Sequence, residues 1–200
     1  MKKALNHIAA ADPVMERIIR SVGPYKIEYH EPVFETLVRS IVFQQLSGKA
    51  AGTIYSRVKA AMPRGVTPRT VLRFTPEQLR GFGLSQQKAA YVLDLADKTV
   101  RRQVRFERLS ECDDAQVIET LSQVKGVGVW TAQMFLIFAL RRPDVFPVAD
   151  LGIRTAMGRA YNPADKLDAA RMEEIAAPWR PYRSVASWYL WRSLEGPAAL

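Results

Sequence analysis

The chain has 200 residues, of which 48% are hydrophobic and 24% charged, a balance typical of a folded globular protein rather than a disordered one. Lysine and arginine outnumber aspartate and glutamate by 29 to 20, and the resulting charge of +9 favours a polyanion such as nucleic acid, although unrelated basic proteins share it. The single cysteine, Cys112, excludes an internal disulfide and a cysteine-rich metal site, and no apolar run approaches the roughly 20 residues that cross a bilayer.

Apolar residues recur at helical spacing through the first half of the chain. The first stripe consists of Phe34, Leu37, Val38, Ile41 and Val42. The second consists of Ala50, Ile54, Val58 and Ala61, and it stops before Pro63. A third helix is expected to begin after Ser85, a suitable N-cap, with apolar positions at Tyr91, Val92, Leu95 and Val100. These spacings predict three amphipathic helices.

The second half of the chain is also helical in pattern. Asp113 and Asp114 place acid in the first turn of a helix, as the helix dipole prefers. Residues 130–140 are apolar nearly all round, which predicts a central, buried helix. Further helices fit residues 150–160, 167–176 and 183–194. Since no stretch alternates convincingly, we predict an all-α protein of about ten helices.

Two glycines one residue apart, Gly126 and Gly128, lie between two of these helices. Glycine accepts positive φ, and such a turn exposes backbone N–H groups at a helix N-terminus, which suits a phosphate oxygen. Lys125 adds positive charge beside it. A bare Gly-x-Gly favours an ordinary helix–helix turn with a glycine cap. The flanking pattern, apolar-Lys-Gly-apolar-Gly-x-x-Thr-Ala, instead favours a DNA-binding helix-hairpin-helix.

One aspartate, Asp150, follows the apolar approach Val145-Phe146-Pro147-Val148-Ala149, about 20 residues after the hairpin. Taken alone, an aspartate at the start of a helix is most simply an N-cap. Its position, one helix and one loop after the hairpin, makes it a candidate catalytic carboxylate.

The hairpin, the apolar helix and the Val-Phe-Pro-Val-Ala-Asp segment together resemble the signature of the helix-hairpin-helix base-excision DNA glycosylases. The resemblance extends from about Glu31 to Arg192, and it is strongest to the alkylation-repair branch, 3-methyladenine DNA glycosylase II. Three further segments contribute to it, namely residues 41–47, 83–89 and 179–184. The combination is specific, although no single segment is.

The resemblance implies roles for particular residues. Asp150 is the expected catalytic carboxylate. The expected base-pocket residues are Trp130, Trp191, Met134 and Leu151. The expected wedge that fills the gap in the duplex is Gln45, with Gln44 and Leu46 beside it. DNA-backbone contacts are expected from Lys125, Gly126, Val127, Gly128 and Thr131. For the tryptophans, core packing is the alternative, and for the glutamines, helix capping.

Two departures from related enzymes bear on the chemistry. Relatives that cut the strand carry a Schiff-base lysine two residues after the second hairpin glycine, where this chain has Trp130. We therefore expect no lyase activity. Iron–sulfur members need four cysteines near the C-terminus, where this chain has none, so no cluster and no required cofactor are expected. A structural Na⁺ or K⁺ on the carbonyls of Ser122, Val124 and Val127 is the one ion that the hairpin suggests.

The expected architecture is two helical lobes with the active cleft between them. Residues 31–140 are predicted to form one lobe with the hairpin, and residues 1–30 plus 141–200 the other, which carries Asp150. The expected function is monofunctional excision of alkylated bases, such as 3-methyladenine and 7-methylguanine, from double-stranded DNA. The alternatives are a glycosylase for another damaged base and a non-catalytic DNA-binding module. We expect a monomeric protein of the bacterial cytoplasm and nucleoid, not of a membrane.

Overall fold

The computed structural model describes residues 1–161 and 167–195. Within these ranges the chain forms α-helices and short 3-10 helices with no strand, which confirms the all-α prediction. The chain divides into two compact units. The central unit is His30–Leu140, and the split unit combines Met1–Tyr29 with Arg141–Leu200.

The helices, in chain order, are α1 (Lys2–Ala11), α2 (Pro13–Val22), α3 (Phe34–Phe43), α4 (Gly48–Ala61), α5 (Pro68–Val71), α6 (Pro76–Gly81), α7 (Gln86–Val100), α8 (Asp114–Ser122), α9 (Val129–Phe138), α10 (Leu151–Tyr161), α11 (Ala169–Ala176) and α12 (Arg183–Ser193). Two 3-10 helices, Phe106–Glu111 and Ala177–Trp179, precede α8 and α12. No helix among the described residues is both long and apolar enough to cross a membrane.

The central unit is organised around α7, which packs against α3, α5 and α6. Val92 and Leu95 of α7 are fully buried, as are Leu37 and Ile41 of α3. The predicted cap at Ser85 is confirmed, because its hydroxyl accepts a hydrogen bond from the N–H of Lys88. Helix α8 begins after a capping box at Asp113 and packs against α9, the helix that follows the hairpin.

Some predicted helix faces are wrong. In α4 Val58 is buried as predicted, but Ala50 is exposed and its neighbour Ala51 is buried instead. Val100, at the end of α7, is exposed. Helix α9 spans Val129–Phe138, and its first two residues, Val129 and Trp130, are exposed, whereas residues 131–132 and 135–137 are buried. Periodicity predicts where a helix lies in the sequence, but not the direction from which its neighbours pack against it. These errors therefore arise from tertiary packing.

The split unit has its own core, in which α12 packs against α2 and α10. Its largest fully buried side chains are Ile8, Met15, Ile153, Trp179 and Tyr189. Asp12 joins separate parts of this core. One of its carboxylate oxygens caps α2, and the other accepts hydrogen bonds from the Tyr161 hydroxyl and the Trp179 indole at 2.6 and 2.9 Å.

Candidate active site

Asp150 lies immediately before α10 and is 9% exposed. The loop that leads to it is buried at Val145, Phe146 and Pro147, and the Asp150 N–H donates to the Pro147 carbonyl at 2.8 Å. Its Oδ1 accepts the N–H of Ile153 at 2.9 Å, the geometry of an N-cap. The interpretation of Asp150 as a helix cap is therefore correct, and capping is compatible with a second function of the same carboxylate.

That second function is suggested by Trp191. The indole Nε1 of Trp191, from α12, donates to the same Oδ1 of Asp150 at 2.8 Å. Two donors on one oxygen fix the orientation of the carboxylate more firmly than a cap requires. The sequence predicts Trp191 as a pocket wall, and the structure shows it as a hydrogen-bond partner of Asp150.

Gly152, which the sequence analysis did not single out, makes this contact possible. A Cβ at Gly152 would lie 2.8 Å from Cδ1 and 3.2 Å from Nε1 of Trp191, and 3.0 Å from Oδ1 of Asp150. A side chain at this position would therefore displace the indole. No local motif marks this glycine, because its neighbour comes from a distant helix.

Helix α12 also holds the start of the loop. The Ser184 hydroxyl donates to the Arg142 carbonyl at 2.7 Å and accepts the Val145 N–H at 2.9 Å. The Arg183 side chain, which is almost fully buried, binds the Asp144 carboxylate and carbonyl. The same helix thus fixes the loop at its beginning and Asp150 at its end.

The predicted pocket residues fall into two groups. Trp130 and Met134 lie one turn apart on α9 in the central unit, and residues at this spacing share a helix face. Trp130 is 42% exposed and Met134 half-buried, so neither is a core residue. Leu151 and Trp191 lie in the split unit next to Asp150, and Leu151 is 78% exposed.

Helix α7 contacts the hairpin between α8 and α9 and fixes its conformation. Gly126 has φ +76°, and a Cβ there would lie 2.1 Å from Cδ2 of Tyr91. The Lys125 N–H donates to the Asp94 carboxylate at 2.9 Å. Burial alone would raise the pKa of Asp94, but hydrogen bonds from Lys98 and from Lys125 outweigh it and lower the pKa.

The outer surface of the hairpin has the features of an anion site. Lys125, Gly126 and Gly128 are exposed. Helix α9 begins after Gly128, and among the described residues no side chain caps its N-terminus. The N-terminus of α9, the positive end of the helix dipole, is therefore suited to bind an anion. The side chains of Val127 and Thr131, by contrast, are buried, so these two predicted contact residues offer only main-chain atoms.

The predicted wedge residues form the turn between α3 and α4. Gln45 is exposed and has φ +57°, a backbone conformation that residues other than glycine seldom adopt. Leu46, beside it, is also exposed. Gln44 is different: its amide donates to the Gly126 carbonyl at 2.9 Å and to the Thr131 hydroxyl at 3.3 Å, so it joins the turn to the hairpin.

Comparison with known proteins places the chain in a family. Residues 38–181 match the HhH-GPD superfamily of base excision DNA repair proteins. DNA-3-methyladenine glycosylase 1 of Schizosaccharomyces pombe is 34% identical over 96% of this chain and 87% of its own length.

Solved structures agree. DNA-3-methyladenine glycosidase of Bacillus halodurans superposes with a TM-score of 0.85 and 33% identity, over 95% of this chain and 88% of its own. The 3-methyladenine DNA glycosylase of S. pombe in complex with abasic DNA has the same TM-score at 30% identity, over 96% and 97% of the two chains. The chain therefore belongs to the HhH-GPD superfamily of base excision DNA repair proteins.

Proposed function

We propose that this protein is a monofunctional DNA glycosylase, which hydrolyses the N-glycosidic bond of alkylated bases in double-stranded DNA. The observation that carries the proposal is the Asp150 carboxylate, oriented by the Trp191 indole and by the first turn of α10. The names of its relatives, which include 3-methyladenine glycosylases at 30–34% identity, support the same substrate class.

Asp150 acts on the sugar rather than on the base. A purine methylated at N3 or N7 carries positive charge and leaves readily, and the deoxyribose develops oxocarbenium character as the bond breaks. A fixed carboxylate stabilises that charge and orients or deprotonates the attacking water. Because Asp150 is already held by two donors, little reorganisation accompanies the reaction.

Trp130 supports a single hydrolytic step. It occupies the position at which strand-cutting relatives carry a lysine, and an indole cannot form an imine with the sugar. Its exposed ring suits a cationic base, which an aromatic face attracts by stacking and cation–π contact. Met134 beside it adds a polarizable, adaptable surface. The product is an intact strand with an abasic site.

The DNA contacts come from the central unit. The exposed hairpin at Lys125, Gly126 and Gly128 would bind phosphate, and Gln45 with Leu46 would enter the duplex when the base leaves the stack. Given the hydrogen bonds of Gln44 within the protein, we assign Gln44 a supporting role rather than the wedge. One monomer carries all of these elements.

The hairpin also suits a monovalent cation shared with a phosphate. Ser122 ends α8, where carbonyls lack a partner within the helix, and the Val124 carbonyl has a second lone pair beyond the one that accepts the Val127 N–H. The carbonyls of Ser122, Val124 and Val127 would hold Na⁺ or K⁺. We expect DNA affinity to fall when KCl is replaced by tetramethylammonium chloride at the same ionic strength.

The test of the function is direct. The protein is incubated with randomly methylated duplex DNA in EDTA, and the released bases are separated by chromatography. We expect 3-methyladenine and 7-methylguanine, and strands that break only after alkali. Release of other damaged bases alone would assign another substrate class. Salt-sensitive DNA binding without any released base would instead indicate a binding module.

A further inference from the structure

One face of α7 connects the two DNA-contacting segments of the central unit. Lys88, Tyr91 and Asp94 follow one another at three-residue spacing, so each neighbours the next along one slanting stripe of the helix surface. Tyr91 and Asp94 contact the hairpin at Gly126 and at the Lys125 N–H. Lys88, at the other end of the stripe, contacts the turn that carries Gln45.

The Lys88 ammonium is bound to the main chain of that turn. Its Nζ donates to the Val42 carbonyl at 2.8 Å and to the Gln44 carbonyl. These are carbonyls at the C-terminal end of α3, which lack partners within the helix and carry its negative dipole end. Partial burial lowers the pKa of Lys88, as expected for an ammonium drawn out of water to reach them.

The main chain of the turn contributes little to fixing its conformation. Its own main-chain hydrogen bonds, from Gln44 N to Ile41 O and from Leu46 N to Phe43 O, are both long at 3.4 Å. The positive φ of Gln45 costs about 1 kcal/mol or more relative to ordinary backbone. A charged donor on two carbonyls beside this residue offsets that strain.

We propose that Lys88 is a positioning residue that sets the Gln45–Leu46 turn at a fixed distance from the hairpin. The hairpin holds the phosphates, so this distance decides whether the turn enters the duplex where the base leaves. Gln44 completes the connection through its hydrogen bond to the Gly126 carbonyl. The inference rests on the proposed function, because it assumes that the turn acts as a wedge.

The variant that tests it is Lys88→Met, which keeps the apolar stem and removes the charged donor. Lys59→Met is the matched control: Lys59 lies on α4 of the same unit, is exposed, and pairs only with Glu35 among its described ion pairs. Both variants lose one positive charge, so the change in net charge is the same in both.

Two duplexes separate positioning from catalysis. Each carries one 7-methylguanine, paired with cytosine in the first and opposite an abasic analogue in the second, where extrusion is easier and a wedge matters less. In single turnover we expect Lys88→Met to lose about tenfold on the first duplex and about twofold or less on the second. Lys59→Met should lose little on either.

A second readout does not depend on activity. Amide hydrogen exchange of residues 44–47 in the free protein should be faster in Lys88→Met than in Lys59→Met or the unaltered protein. If Lys88→Met does not fold, Lys88→Gln replaces it, because its shorter, neutral amide also removes the charged donor, and the same duplex preference is expected. Equal losses on both duplexes, or unchanged exchange in the turn, would overturn the inference. Absence of release by the unaltered protein would refute the proposed function, and the exchange result would still decide the role of Lys88.

Discussion

Gly126 in the central unit and Gly152 in the split unit both lie where an aromatic ring occupies the space of a side chain. The ring is Tyr91 in the first case and Trp191 in the second. Gly126 has positive φ, so both backbone conformation and space require glycine there. Gly152 is an ordinary helical residue, and only space requires it. The first glycine shapes the hairpin turn, whereas the second lets a donor reach a carboxylate.

Gly126→Ala should have the largest effect on folding. The new Cβ meets the half-buried Tyr91 ring of α7, and a positive φ adds strain. Overpacking and strain together predict a loss of about 3 kcal/mol in the free energy of unfolding. Urea denaturation measures it. Gly128→Ala is the matched comparison, because its φ is −96° and nothing lies within 4 Å of its Cβ, so we expect a change below about 1 kcal/mol. Equal losses would show that the Tyr91 contact does not matter.

Gly152→Ala should affect chemistry more than folding. The gain in helix propensity offsets part of the clash, so we expect at most about 1 kcal/mol of destabilisation. Base release should fall about tenfold, because the displaced indole no longer holds Asp150. Single-turnover release and thermal unfolding measure the two effects separately.

Gly158→Ala controls for the change of residue type in the same helix. A Cβ at Gly158 meets no atom within 4 Å, so alanine should stabilise the protein by about 0.5–1 kcal/mol and leave the release rate unchanged. If both glycine variants slowed release equally, rigidity of α10 rather than the Trp191 contact would explain the loss.

Trp191→Phe should have a smaller effect than Gly152→Ala. Phenylalanine keeps an aromatic ring on α12 and removes only the Nε1 donor, while the Ile153 N–H still holds Asp150 Oδ1. We expect release to fall about threefold with unchanged DNA affinity. A loss of release rate equal to that of Gly152→Ala would mean that the Trp191 indole acts on Asp150 only through its hydrogen bond. An unchanged release rate would mean that this hydrogen bond does not orient the carboxylate.

The two regions also differ in how far the sequence predicts them. The hairpin, the caps at Ser85 and Asp113 and the helical class depend on local spacing, which a single sequence displays. Gly126 is predictable for the same reason, since a turn between helices selects glycine. The expected burial at Ala50 and Val100 was wrong, because packing partners from elsewhere decide which face of a helix is covered.

Long-range contacts could not be predicted. Gly152 has no motif, since the ring above it belongs to α12. Gln44 was expected beside the wedge residue Gln45, yet its amide binds the hairpin far along the chain. Asp150 was interpreted as either a cap or a catalytic residue, and the structure shows the cap together with an indole donor that only the fold brings there.

The catalytic role of Asp150 is the central claim, and Asp150→Asn tests it most directly. Asparagine caps a helix about as well as aspartate, and its carbonyl oxygen can accept both donors, so the variant should fold and bind DNA normally. It lacks the negative charge that stabilises the developing oxocarbenium ion. In single-turnover assays with DNA containing 7-methylguanine, we predict a loss of about a hundredfold or more in base release with unchanged affinity. Release at a rate comparable to that of the unaltered protein would contradict the claim.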